Sequence, residues 1–360
     1  MRGDPATRAA EELTRGGRVL VSRLQYLGDV ILTLPAVYAL RDRYPQAEID
    51  YLARDAGADV LSGEPIFSRI FKLPTRQQGR LAMLRFLRDL RQRKYSAVID
   101  LYSNPRSALL TRLTDAALRI GGDRRGRRRL YTHPTRTPST VRRATDHHLY
   151  YLKPLGVSGP ASKPSLTISD AERGRALERL REFGIEPGDG PVVGVHPGGK
   201  WEVKRWPIPQ YAELGRRLAD NHGLRLVVFS GPGEGSYQSE LRDLLGERAV
   251  YLPTLPIRET AALVESLDGI VVCDGGIMHL SVAVGTPTVG IFGSSEPDIW
   301  FPYEEFGPYR PIYVPIDCRP CHSHVCSHLS CLLGLTVDAV ERKLLDVMGA
   351  GKSSQRSLGS

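Results

Sequence analysis

The apolar positions of this chain fall in short runs that stop abruptly at loops rich in glycine and aspartate, and between the runs they recur at helical spacing. Residues 18–24 read as a strand, 25–29 as a loop and 30–43 as a helix, with Pro35 kinking or restarting that helix one turn in. Further strands are predicted at 48–53, 69–73 and 97–101, with a helix at 80–93 between the last two. The pattern starts again after a helix at 169–183. Strands at 191–196, 224–230 and 269–273 then alternate with helices at 208–221, 236–245 and 258–266, and a last helix is predicted at 337–348. Alternating strands and helices imply a parallel sheet in each half. The Gly-, Ser- and Pro-rich stretch 156–164 serves as the linker.

The reading is an α/β chain: a polar N-terminal extension over 1–17, a Rossmann-like domain over 18–160, a second over 165–348 and a flexible Gly- and Ser-rich tail over 349–360. Neither half has the Gly-x-Gly-x-x-Gly loop of dinucleotide folds. Two such domains in tandem predict the GT-B architecture, two Rossmann-like domains facing a cleft.

The richest stretch is 269–293. Its apolar run ends at Asp274-Gly275-Gly276, a helix-like segment reaches Val284, and Gly285-Thr-Pro turns into a second apolar run at 288–292. A loop at the carboxyl end of a parallel strand is where open α/β sheets bind ligands. Gly275 and Gly276 let backbone approach closely, and the new helix offers N–H groups and a positive dipole end to an anion. The chemistry points to phosphate.

Composition narrows the partners. With 41% hydrophobic and 25% charged residues the chain is an ordinary soluble globular type, and no apolar run nears the roughly 20 residues of a membrane span, so a cytoplasmic protein is expected. The net charge of +9 concentrates between Arg119 and Arg143, including Arg124, Arg125, Arg127, Arg128 and Arg129. Guanidinium groups in such number suit anionic lipid head groups or a phosphorylated glycolipid, or else form a solvated basic loop. Aromatic and basic residues are not interleaved as in nucleic-acid binders, and no nucleic-acid partner is expected.

Four of the five cysteines lie at Cys318, Cys321, Cys326 and Cys331, with His322, His324 and His328 among them. The cluster reads as a structural zinc site, as reduced thiols or as local disulfides. Cys273, within a strand, reads as a small buried hydrophobe.

Four stretches, in order, resemble glycosyltransferase family 9, the bacterial heptosyltransferases. They are residues 23–35 with Gly28-Asp29, His196-Pro-Gly-Gly-Lys200 with Lys204-Arg-Trp-Pro207, Ser230-Gly-Pro-Gly-Glu234, and Asp274-Gly-Gly-Ile-Met-His279 with 285–293. The resemblance implies an inverting, metal-independent transfer of heptose from an ADP-linked donor to a lipopolysaccharide-core or related glycolipid acceptor, with peripheral contact at the inner membrane surface. Asp29 corresponds to the family's proposed base, which takes the proton of the attacking hydroxyl; on its residue type alone it reads as a helix cap. Donor contacts are implied at Gly198, Gly199, Lys200, Lys204, Glu234, Asp274, Gly275, Gly276, Ile277 and His279. Lys204 aligns with a phosphate-contacting lysine. Glu234 reads as a ribose acceptor or as a helix-terminal acid, and Asp274 as a helix cap or an acceptor of sugar hydroxyls. The family commonly has Ser or Thr where this chain has Gly275, which keeps a UDP-linked donor open. A non-catalytic nucleotide-sugar-binding scaffold is the remaining alternative.

Overall fold

The computed structural model describes residues 4–124, 126–186, 188 and 190–358, the last seven by backbone alone. It divides into two compact units, Met1–Pro164 and Ser165–Ser360.

The first unit is a six-stranded parallel sheet of β1 (Arg18–Ser22), β2 (Glu48–Ala53), β3 (Arg69–Lys72), β4 (Ala97–Asp100), β5 (Leu118–Gly122) and β6 (His133–Thr135) in the order β3-β2-β1-β4-β5-β6. Its central strands β1, β2 and β4 are buried along almost their whole length, as expected of parallel strands covered on both faces. The helix after β1 is two pieces, Leu27–Ile31 and Leu34–Arg43, because Pro35 cannot supply an N–H and sits in the first turn of the second piece.

The second unit repeats the plan with β7 (Val192–His196), β8 (Arg225–Val228), β9 (Ala249–Tyr251), β10 (Gly269–Cys273), β11 (Thr288–Ile291) and β12 (Tyr309–Ile312), ordered β12-β11-β10-β7-β8-β9. Counted from its own first strand this is again 3-2-1-4-5-6, the doubly wound order. Each unit therefore reverses direction once, between β1 and β4 and between β7 and β10. Trp206 and Tyr211 anchor the second core edge to face, and the Trp206 indole donates to the Leu335 carbonyl at 3.1 Å.

Both ends of the chain differ from the sequence reading. The stretch taken as a polar extension contains a helix, Pro5–Thr14, capped by the Asp4 carboxylate. Ala6, Ala9 and Leu13 recur at helical spacing and are buried. The last helix is continuous over Val337–Leu358 and takes in most of the stretch read as a tail. Val340, Leu344 and Val347 form its buried stripe within the second unit's core. The short strands β5, β6, β9 and β12 were not predicted. Gly121 lies against the Tyr131 ring, where a Cβ would come within 2.1 Å, and β12 carries Pro311, which only a sheet edge tolerates.

Candidate functional site

In the second unit the loops after β7, β8, β10 and β11 bring most of the predicted donor residues together. Asp274 is still held by the sheet, its N–H donating to the Ile291 carbonyl at 2.9 Å. Its buried carboxylate accepts from Lys204 Nζ at 2.6 Å and from the Ser295 hydroxyl. The helix-cap reading of Asp274 is corrected: Gly275 occupies the N-cap of the Gly276–Val284 helix, and no side chain caps it. Asp274 lies one residue too early, and its charge is spent on Lys204. The start of that helix keeps its anion-facing character, beside a lysine and a neutralised carboxylate.

A second carboxylate is built the same way. Glu234 stands at the N-cap of the Gly235–Leu245 helix, yet its side chain turns back to accept the Gly231 N–H at 2.8 Å and to meet His196 Nε2 at 3.1 Å. Burial pushes its carboxyl up, but the His196 bond and charge, the Gly231 N–H and Arg205 outweigh that and hold it below the ordinary value. Gly198 is required here, since a Cβ would come within 2.1 Å of Glu234 Oε2. Arg205 straps the loop, donating to the Gly199 carbonyl at 2.6 Å while lying over the Tyr237 ring. Lys200 is exposed, its ammonium 4.9 Å from the centre of the Trp201 ring.

His279 is buried within the helix, and its Nδ1 bonds the Tyr303 hydroxyl at 2.7 Å. Tyr303 is fully buried, so it fixes the ring's orientation. His196, Ser295 and Tyr303 were missed as site residues. The signal for the first two was positional: each falls at or just after the carboxyl end of a strand beside β10.

In the first unit Asp29 lies in the first turn of the Leu27–Ile31 helix. One oxygen accepts from Arg23 at 2.5 Å and the other from the Tyr26 N–H at 3.0 Å. Arg23 also donates to the Leu101 carbonyl at 3.0 Å and stacks over Tyr102. Nearby, burial and the charges of Arg124 and Arg23 hold the His147 imidazole below its ordinary value. Arg127, Arg128 and Arg129 lie on the loop between β5 and β6, with Arg128 3.8 Å from Asp123; Arg125 falls outside the described residues.

Cys318, Cys321, Cys326 and Cys331 line one cavity of about 310 Å³ together with His328. All are free thiols, Cys331 buried and Cys318 and Cys321 exposed. Among the described residues no three His, Cys, Asp or Glu side chains converge on one point, so these cysteines as placed do not fit the tetrahedral shell zinc takes. Cys273 is buried as expected, and burial pushes its thiol up to about 11.

Two doubly wound units in tandem define the class of fold, the GT-B architecture. Residues 83–330 match the model of glycosyltransferase family 9 (heptosyltransferase), and the chain belongs to that family and is a glycosyltransferase. It is 26% identical to lipopolysaccharide heptosyltransferase 1 of Pseudomonas aeruginosa over 320 residues, 86% of this chain and 88% of the relative. It is 24% identical to lipopolysaccharide heptosyltransferase 3 of Escherichia coli over 298 residues, 78% and 84%. The fold matches the structure of Escherichia coli ADP-heptose lps heptosyltransferase II with a TM-score of 0.78 and 22% identity, covering 92% of this chain and 98% of that one. Among the described residues no helix is long and apolar enough to cross a membrane.

Proposed function

We propose that this glycosyltransferase moves a heptose from an ADP-linked donor to a lipopolysaccharide-core or related anionic glycolipid, with inversion and without a metal ion. The observation that carries the reading is the Lys204–Asp274 pair beside the uncapped, glycine-led Gly276–Val284 helix, in a chain whose relatives carry heptosyltransferase names. In this reading the donor's diphosphate meets the N–H groups of Gly275, Gly276 and Ile277, with Lys204 and the Gly198-Gly199-Lys200 loop supplying the remaining donors and charge. Glu234 accepts hydroxyls of the ribose. His279, its ring oriented by Tyr303, donates to a phosphate or sugar oxygen.

Asp29 is the proposed base. The acceptor oxygen forms its bond to the anomeric carbon as Asp29 takes the hydroxyl proton, and the bond from that carbon to the diphosphate breaks on the opposite side. The departing electron pair stays on the diphosphate, where fixed N–H groups and Lys204 stabilise the growing charge. Arg23 orients Asp29, and Arg124, Arg127, Arg128 and Arg129 attract the anionic acceptor. Such an acceptor brings the enzyme to the inner face of the cytoplasmic membrane. The cysteine cluster has no role in the transfer.

Calorimetric titration with ADP-heptose, ADP, UDP and a UDP-sugar, in the presence of a chelator, tests the reading. Preferential binding of ADP-heptose is expected. Preference for the UDP ligands would overturn the heptose assignment while keeping the mechanism, and silence toward all four would favour the scaffold alternative.

A further inference from the structure

The helix Gly79–Gln92 turns its apolar face, Phe86 and Leu90, into the first unit's core. Its opposite face should be purely polar, and it is not. Leu81 and Leu84, one turn apart, are 70% and 62% exposed. The helix Pro105–Leu113 packs beside it and adds Leu109 and Leu113, 52% and 41% exposed. Among the described residues of this unit, these four leucines are all but one of the large hydrophobic side chains left in water. Singly exposed leucines need no explanation, but four concentrated on two adjoining helices do.

The charges around the leucines select the partner. Residues 76–92 carry the exposed arginines 76, 80, 85, 88 and 91 against a single acid, Asp89, 3.9 Å from Arg88; Asp115, just past the second helix, pairs with Arg91 at 3.4 Å, so the balance stays strongly positive. At the start of the helix, Arg54 and Arg76 press on Arg106; burial first and then their charges lower the Arg106 guanidinium from its ordinary value. The Arg54 Nε is buried with no hydrogen-bond partner. A second copy of the chain would bring arginines against arginines. A bilayer with anionic head groups satisfies both features, since arginines meet phosphodiesters while leucines enter the acyl boundary.

We propose that the helix Gly79–Gln92, with Leu81 and Leu84 at its centre and the neighbouring Leu109 and Leu113, docks this enzyme on an anionic phospholipid surface. The inference gives the glycolipid reading a place of attachment, and rests on that reading only for its purpose. It also moves the membrane contact away from the arginine-rich loop between β5 and β6.

The test is co-sedimentation of the full chain with vesicles of phosphatidylcholine alone or mixed equally with phosphatidylglycerol. Binding to the mixed vesicles only, falling with salt, is expected. Arg85→Gln with Arg88→Gln should weaken it about 30-fold, the effect of two arginines near an anionic surface. Leu81→Ser with Leu84→Ser should weaken it by at least about tenfold through lost apolar burial, whereas Leu244→Ser in the other unit should leave it unchanged. Absence of binding to the mixed vesicles would overturn the proposal. So would wild-type binding by both helix variants, or loss of binding only on Arg127→Gln, Arg128→Gln and Arg129→Gln. Transfer to a soluble, deacylated acceptor is measured in parallel: its persistence in the helix variants separates failed docking from a failed glycosyltransferase assignment.

Discussion

The two units share a strand order, and each places an aspartate paired with a cation beyond its first or fourth strand, but the pairs are built differently. Arg23 and Asp29 are six residues apart, and Arg23 comes directly off the end of β1. Lys204 and Asp274 are seventy residues apart, and Ser295 joins them from beyond β11. Asp274 is the more buried, its side chain 5% exposed against 18% for Asp29. A pair assembled from three strand ends is fixed by the sheet itself and suits a rigid binding surface. A local pair at a helix start keeps an accessible carboxylate, and a carboxylate has lone pairs beyond those its two donors occupy. The topology supplies the location in both units, and the reach of the pairing decides what the carboxylate is fit to do.

That comparison is broken most directly at Asp29. Asp29→Ala should lower kcat by about 10²–10⁴-fold, the usual worth of a general base, while calorimetric donor binding stays as in the wild type. Equal loss of donor binding would mean that Asp29 holds the first unit together rather than taking a proton.

Lys204→Ala should act on both levels. Loss of the leaving-group charge should lower kcat/KM by about 10²-fold. The buried Asp274 carboxylate left behind should cost about 1–3 kcal/mol of stability in denaturant unfolding. Adding Asp274→Asn removes the orphaned charge and should restore stability without restoring turnover. Recovery of both would reduce Lys204 to a structural counter-ion.

What the sequence made legible follows the same division. The glycine–aspartate break after its apolar run placed Asp274 directly at a strand end, whereas Asp29, read at the end of a loop over 25–29, lies in the first turn of a helix that already begins at Leu27. The helix after the Asp274 break ends at Val284, as read from the sequence. What local pattern could not show was where the long-range side chains go. Asp274 read as a cap because nothing near it in sequence announces Lys204 or Ser295, and Glu234 gave no sign of turning to His196. The edge strands β6 and β9 are three residues each, too short for a period to register. The thiols stand close in sequence, and spacing left zinc, reduced thiols and disulfides open; as placed they are free thiols.

The smallest effect sharpens the contrast from inside the first unit. His148 is buried, its Nδ1 3.1 Å from the Leu32 carbonyl at the end of the first helical turns beyond Asp29. Burial, then the charge of Arg23, lowers its imidazole to about 3. In the unfolded chain a histidine titrates near 6.5, so below that pH the unfolded state binds a proton the folded state refuses. The stability contributed by neutral His148 is therefore complete above pH 6.5 and is lost as pH falls from there toward about 3. Between pH 6.5 and pH 5 the loss should reach about 2 kcal/mol, and His148→Gln should flatten that part of the stability profile. An unchanged profile in His148→Gln would mean that the pocket admits the proton.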